Sequence, residues 1–291
     1  MNPQQRACLL LACKMGDPNR KNITPERLRL LLQLCPALSD DPAFMSALLN
    51  HSGAEKALAE QVISLLNDGP LLDAYLAEAS RLGCTAFVRG SSGYPPALHK
   101  LGTDAPMCLW AKGNPDALEM PTISLVGSRD LADENRDFAY QVGKQAARQG
   151  YALVSGNARG ADSVAQNACL EAGGYVISVL PDSLIDHAPA PRQLLLSENG
   201  FNEPFSAPRA LHRNYVIHCM SPVTFAAQCT LGKGGTWSGS IKNLRRQWSR
   251  LYCFRDGSPA ARELEQMGAC LIDAQELADF SALPVQQLRL I

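Results

Sequence analysis

The sequence predicts an α/β protein: a mostly parallel sheet with helices on both faces, plus a small N-terminal helical domain. Three observations carry this prediction. From Pro121 onward, short uninterrupted apolar runs alternate with amphipathic stretches. A strand that is apolar throughout is buried on both faces, as in a parallel sheet. Ahead of that region the apolar residues recur at helical spacing. Glycine-rich turns stand where strands would hand over to helices.

The N-terminal region reads as helices. In "NITPERLRLLLQLC", Thr24 is placed to cap and Pro25 suits the first helical position. Leu28, Leu31, Leu32 and Cys35 then share a face. "SDDPAFMSALL" repeats the signal with Asp41 before Pro42, and "GPLLDAYLAEASRLG" ends on Gly83. A connector follows, with strands expected at Ala86 to Val88 and at Met107 to Ala111 and turns around its Gly and Pro residues.

The alternating part begins at "TISLV", then a helix to Gly150, "YALV", a second helix, and "YVISVL". A Pro-rich loop and a short helix near Gln193 to Leu196 come next. "RALHRNYVIHCM" reads as a helix and "VTFAA" as a strand. "GSIKNLRRQWSR", "LYCF", "ARELEQMG" and "ACLI" continue the alternation. Ligands of such sheets bind beyond the carboxyl ends of the strands.

Composition narrows the class. With 46% hydrophobic and 19% charged residues, the chain is of ordinary globular type. Its apolar runs are far shorter than the ~20 residues of a membrane span. "LACKMGD" lacks a small-x-small cleavage site, so the first apolar stretch reads as a buried helix and a cytoplasmic protein is expected. None of the ten cysteines forms a C-x-x-C pair and most sit in apolar runs, so free buried thiols are expected. His187, His212 and His218 show no metal-ligand spacing, and neither a metal nor a cofactor is expected.

Net charge is −1, but its distribution is uneven: from Pro204 through Arg255 there is no Asp or Glu. The same stretch holds Arg209, Arg213, Lys233, Lys242, Arg245, Arg246, Arg250 and Arg255. Such a segment suits a polyanion-binding face, unless acids from elsewhere neutralise it in the fold.

Three turns supply candidate anion ligands. "VGSR" offers Gly127, Ser128 and Arg129 at a helix start, where free N–H groups favour an anion. "SGNARGAD" repeats the geometry, with Ser155 and Gly156 in the turn, Arg159 facing a phosphate and Gly160 removing bulk. Asp162 would cap the next helix or hold Arg159. "LGKGGTWSGSIKNLRRQW" offers Lys233, the Gly234 and Gly235 amides, Thr236, Ser238 and Lys242, and Trp237 offers a stacking surface. Neither G-x-G-x-x-G nor G-x-x-x-x-G-K-[ST] is present, which argues against a dinucleotide site and a Walker loop. Each turn taken alone is also compatible with a simple change of chain direction.

"YPPALHKL", "DAPMCLWAKGN", "ISLVGSR", "LVSGNARGAD", "ISVLPDSLID" and "HRN" follow one another in the order and spacing of the DNA-processing protein A (DprA/Smf) family. The chain resembles that family over about residues 90 to 255. The resemblance implies an extended Rossmann-like domain over 85–291, behind a helical accessory domain of SAM or helix-hairpin-helix type over 1–84. It implies single-stranded DNA binding, loading of the recombinase RecA in natural transformation, and a homodimer. It places Arg213 and Asn214 in the phosphate site. The winged helix of some members does not fit after Leu271.

The departures from the family pattern are specific. Asn157 stands where a bulky apolar residue is usual, Ala161 where Ile is usual, and Gln166 where His is common. F-P-x-R-N has become "LHRN" after Ala210, without the Phe-Pro. The alternative function is a nucleotide-binding sensor or a phosphoribohydrolase-like enzyme of the same superfamily. Against hydrolysis, "KGGTWSGSIKN" lacks the Glu of the P-G-G-x-G-T-x-x-E turn; Asp162, Asp182 or Glu198 would have to replace it.

Overall fold

The computed structural model describes residues 1–283. Five helices come first: α1 (Pro3–Ala12), α2 (Pro25–Leu34), α3 (Pro42–Ser52), α4 (Lys56–Leu66) and α5 (Gly69–Arg81). Their starts follow from side-chain caps. Asn2 forms a capping box with Gln5, Thr24 accepts from Arg27 N, and Asp41 accepts from Ala43 N and Phe44 N. Each satisfies amides that have no partner within the first helical turn.

The apolar core of these helices runs on without a break into the sheet region. Leu9, Leu28, Leu31, Met45, Leu58, Val62 and Leu72 join one apolar cluster with Trp110, Leu195 and Phe201 of the following region. Tyr75 of α5 stacks on Phe201 with ring centroids 4.4 Å apart and meets Trp110 edge-on at 5.2 Å. Its hydroxyl donates to Asn202 at 2.7 Å, which satisfies the polar end of a buried ring.

The sheet contains β1 (Cys84–Val88), β2 (Cys108–Gly113), β3 (Thr122–Val126), β4 (Ala152–Ser155), β5 (Val176–Leu180), β6 (Gln193–Glu198), β7 (Val223–Ala226), β8 (Arg250–Phe254) and β9 (Cys270–Ile272). Their order is β1-β2-β6-β5-β4-β3-β7-β8-β9. Every pair from β6 to β9 across the sheet is parallel; β1 and β2 add an antiparallel edge. The fold is therefore the Rossmann-like, mostly parallel α/β sheet that the sequence predicts.

One element differs. The short helix expected near Gln193 to Leu196 is strand β6, buried throughout and paired with both β2 and β5. A short apolar run has the same periodicity as a buried helix segment, and only its length and its neighbours decide.

The crossover helices are α6 (Asp133–Arg148), α7 (Ala161–Glu171), α8 (Ala207–Cys219), α9 (Gly234–Arg246) and α10 (Pro259–Gln266). Alternate strand residues enter opposite cores. Leu153, Phe225 and Tyr252 pack with Phe138, Val142 and Ala165 of α6 and α7. Val154, Ala226 and Leu251 pack with Val216, Ile217 and Leu264 of α8 and α10. From β3 the chain builds the sheet in one direction through β6, then returns to β7 on the other side of β3. The loops after β3 and β7 thus diverge at a topological switch point, where such sheets bind ligands.

A candidate anion-binding site at the switch point

A cavity of about 580 Å³ opens at that switch point. The β3 loop contributes Gly127, Ser128 and Arg129; the β7 loop and the start of α9 contribute Thr230 and Lys233 through Thr236. The turn after β4 supplies Ala158 and Asp162, and α8 supplies Arg213 and Asn214. The three glycine-rich turns singled out in the sequence therefore meet in one place.

Arg213 is the buried cation of this site, at 8% exposure. Its Nη1 lies 3.6 Å from Oδ2 of Asp162, and its buried Nε has no hydrogen-bond partner among the described residues. Burial lowers the Arg213 pKa, and the Asp162 charge opposes that shift. Burial likewise raises the Asp162 pKa, against the Arg213 charge and the amide of Ala158 that donates to it at 3.2 Å. Asp162 thus holds Arg213 rather than Arg159, the partner open to it from sequence.

Gly156 makes this pair possible. A Cβ at that position would overlap the Arg213 guanidinium and approach Asp162 Oδ2 to 2.7 Å. Gly160, at φ +89°, is pressed against the carbonyls of Ser128 and Arg129, so it couples two turns instead of contacting an anion. Ser155 is buried and its hydroxyl donates to Leu125 O at 2.9 Å, a second structural role.

The N-terminus of α9 presents its first amides to the cavity, with Lys233 at the cap position and no side chain capping it. Thr236 Oγ1 donates to Gly127 O at 2.9 Å. Its proton serves to tie the β3 and β7 loops together, where the sequence suggested a donor to the ligand. Ser128 Oγ accepts from Asp130 N at 3.2 Å.

Five predicted residues lie outside the lining: Ser155, Gly156 and Gly160 support it from behind, and two more lie elsewhere. Arg159 is exposed and pairs with Asp130 at 2.7 Å, outside the cavity lining. Lys242 lies on a separate groove with Trp237. The residues missed in the sequence are apolar. Phe205, 57% exposed, and Leu211 line the cavity, and Leu231 is exposed in the adjoining loop. Their signal was an aromatic just before the Ser206 cap of α8, with no core face to join.

Asp162 is the one carboxylate among the described lining residues. Cys229 also lines the cavity, but burial pushes its thiol up to about 12, so it is not a thiolate at neutral pH.

A family model described as DNA recombination-mediator protein A matches residues 85–246, more than half of the chain. The chain belongs to this family. The recombination-mediator match is accompanied by a DNA processing protein DprA from Streptococcus pneumoniae strain R6. It is 30% identical over 195 residues, covering 61% of this chain and 68% of the relative. DprA from Bacillus subtilis is 29% identical over 187 residues, 59% of this chain and 60% of the relative. The X-ray structure of Streptococcus pneumoniae DprA gives a TM-score of 0.73 at 21% identity, over 98% of this chain and 100% of that one. A DNA processing protein A from Helicobacter pylori, described for its single-stranded DNA binding mode, gives 0.58 at 24% identity. It covers 67% of this chain and 94% of that one. At these identities the superpositions establish the fold.

The departures of this mediator-family member acquire local reasons. Asn157 has φ +57°, a left-handed conformation that Asn tolerates far better than a bulky apolar residue. Ala161 is fully buried next to Gly127, and Gln166 is buried with an unpartnered Nε2. Ala210 and Leu211, at the positions of the lost Phe-Pro, line the cavity together with Phe205. Among the described residues, no helix is long and apolar enough to cross a membrane.

Proposed function

We propose that this protein binds single-stranded DNA at the switch-point cavity, without turning it over. The observation that carries the reading is the convergence of cations: Arg129, Arg213 and Lys233 line one cavity together with the N-terminus of α9. These groups suit a phosphate, the guanidinium in particular. The exposed Phe205 and Leu211 beside them suit a base face more than a water-filled nucleotide pocket. The relative from Helicobacter pylori, whose structure was described for its single-stranded DNA binding mode, supports the same reading.

Asp162 is committed to Arg213, which leaves no free carboxylate among the described lining residues for N-glycosidic cleavage. The further role we assign, transfer of the strand to RecA during DNA uptake by a homodimer, rests on the family resemblance. The test is a titration of labelled oligo(dT) at low salt, with mononucleotide as competitor. The wild type should bind and the Arg129→Ala/Lys233→Ala variant should not, with mononucleotide competing poorly. Strong competition by mononucleotide would favour a nucleotide sensor instead.

A further inference from the structure

Helix α9 carries Trp237, Ser238, Ile241, Lys242, Arg245 and Arg246, spaced so that four-residue steps put them on one face. With Tyr215 of α8 and Gly232 of the preceding loop, they line a groove of about 520 Å³, separate from the switch-point cavity. Lys242 Nζ lies 4.0 Å from the centroid of Tyr215 and 3.5 Å from Asp104 Oδ2, so it is held along the groove wall. Arg245 and Arg246 are exposed, and among the described residues they make no salt bridge. The chain has three tryptophans. Trp110 and Trp248 are buried at 0% and 4%, and Trp237 is the partly exposed one, on the groove.

The groove adjoins the cavity through one loop. Thr230 and Lys233 face the cavity, and Gly232 between them faces the groove. From Trp237 to Arg245, α9 rises about 12 Å. That length matches a few stacked nucleotides at ~3.4 Å each.

We propose that this groove is a second stretch of the single-strand path. One base stacks on Trp237, and the phosphates that follow lie along Lys242, Arg245 and Arg246. This inference rests on the single-strand reading of the cavity. A helix face serving only solubility would mix both charge signs, and this one carries cations beside two aromatic rings.

The test uses the full chain and two readouts, anisotropy of labelled oligo(dT) and intrinsic tryptophan fluorescence. A twenty-residue oligo(dT) should quench the fluorescence of the wild type. In Trp237→Phe the quench should vanish while binding persists, because the other two tryptophans are buried. Arg245→Ala/Arg246→Ala should lower the slope of log K against log salt by about 1.4 for the long oligomer, at ~0.7 per phosphate. It should leave the affinity for a four-residue oligomer unchanged. Binding of the long oligomer with no quench and an unchanged salt slope would overturn the groove and leave the cavity reading intact. No binding of either oligomer would overturn both. Thermal melting of each variant should match the wild type, since the two arginines are exposed and Phe retains ring packing.

Discussion

Arg213 Nη1 sits 3.6 Å from Asp162 Oδ2 across a space that only a glycine at position 156 leaves open. The pair joins α8 to the start of α7 and aims a guanidinium at the cavity. Its geometry, more than its net energy, is what the site uses, since a buried ion pair often contributes little to stability.

Gly156→Ala should therefore act on binding through Arg213. The new methyl would displace the guanidinium and weaken oligo(dT) binding by about tenfold or more, the equivalent of ~1.4 kcal/mol. Fluorescence anisotropy at low salt checks this. Unchanged affinity in a folded Gly156→Ala variant would remove Arg213 from the site.

The two candidate arginines of the adjacent turns should behave differently. Arg129 lines the cavity and Arg159 lies outside it, paired with Asp130 on the surface. Arg129→Ala should reduce the salt slope of single-strand binding by about 0.7. Arg159→Ala should leave that slope nearly unchanged, and neither should alter the melting temperature appreciably.

Asn157→Val should destabilise the fold by about 1–2 kcal/mol, because a β-branched residue is strained at φ +57°. Asn157→Gly should be tolerated. Urea unfolding of the two variants against the wild type measures the difference.

His218 sets an acid limit on stability. It is fully buried, neither ring nitrogen has a partner among the described residues, and burial lowers its pKa from 6.5 to about 3. Between those values the unfolded chain binds the proton and the folded one does not. Stability thus falls as pH drops below 6.5, by about 1.4 kcal/mol per unit from this group. His212 acts in the opposite sense. Burial, the largest single influence, opposes its charge, but the Glu198 carboxylate at 2.6 Å and Asp104 together outweigh it and raise its pKa. Its contribution is present below 6.5 and lost as pH rises through the folded value. Chemical denaturation of His218→Gln between pH 4 and 7 (about the working range of histidine titration) should show a shallower acid loss than the wild type.

Much of this was legible in the chain. Runs such as "YALV" and "VTFAA" gave buried parallel strands because both faces are covered, and the caps at Thr24 and Asp41 marked helix starts. The turns at Gly127, Gly156 and Gly234 were visible because backbone chemistry there is local. Pairings between distant residues were not. The Asp162–Arg213 contact spans β5, β6 and their loops, and no local spacing encodes it. The β6 run reads equally well as a short helix until β2 and β5 are seen to flank it. Trp237 and Lys242 were read as part of the third turn, but helical spacing turns them onto a different face from Lys233.

Whether the switch-point cavity holds single-stranded DNA is decided by equilibrium binding of labelled oligo(dT) to the wild type and to Arg129→Ala/Lys233→Ala at about 50 mM salt. The wild type should bind at micromolar affinity or tighter, weakening steeply with added salt, and the folded double variant should lose this binding. Absence of wild-type binding, or equal binding by both proteins, would contradict DNA binding at the cavity.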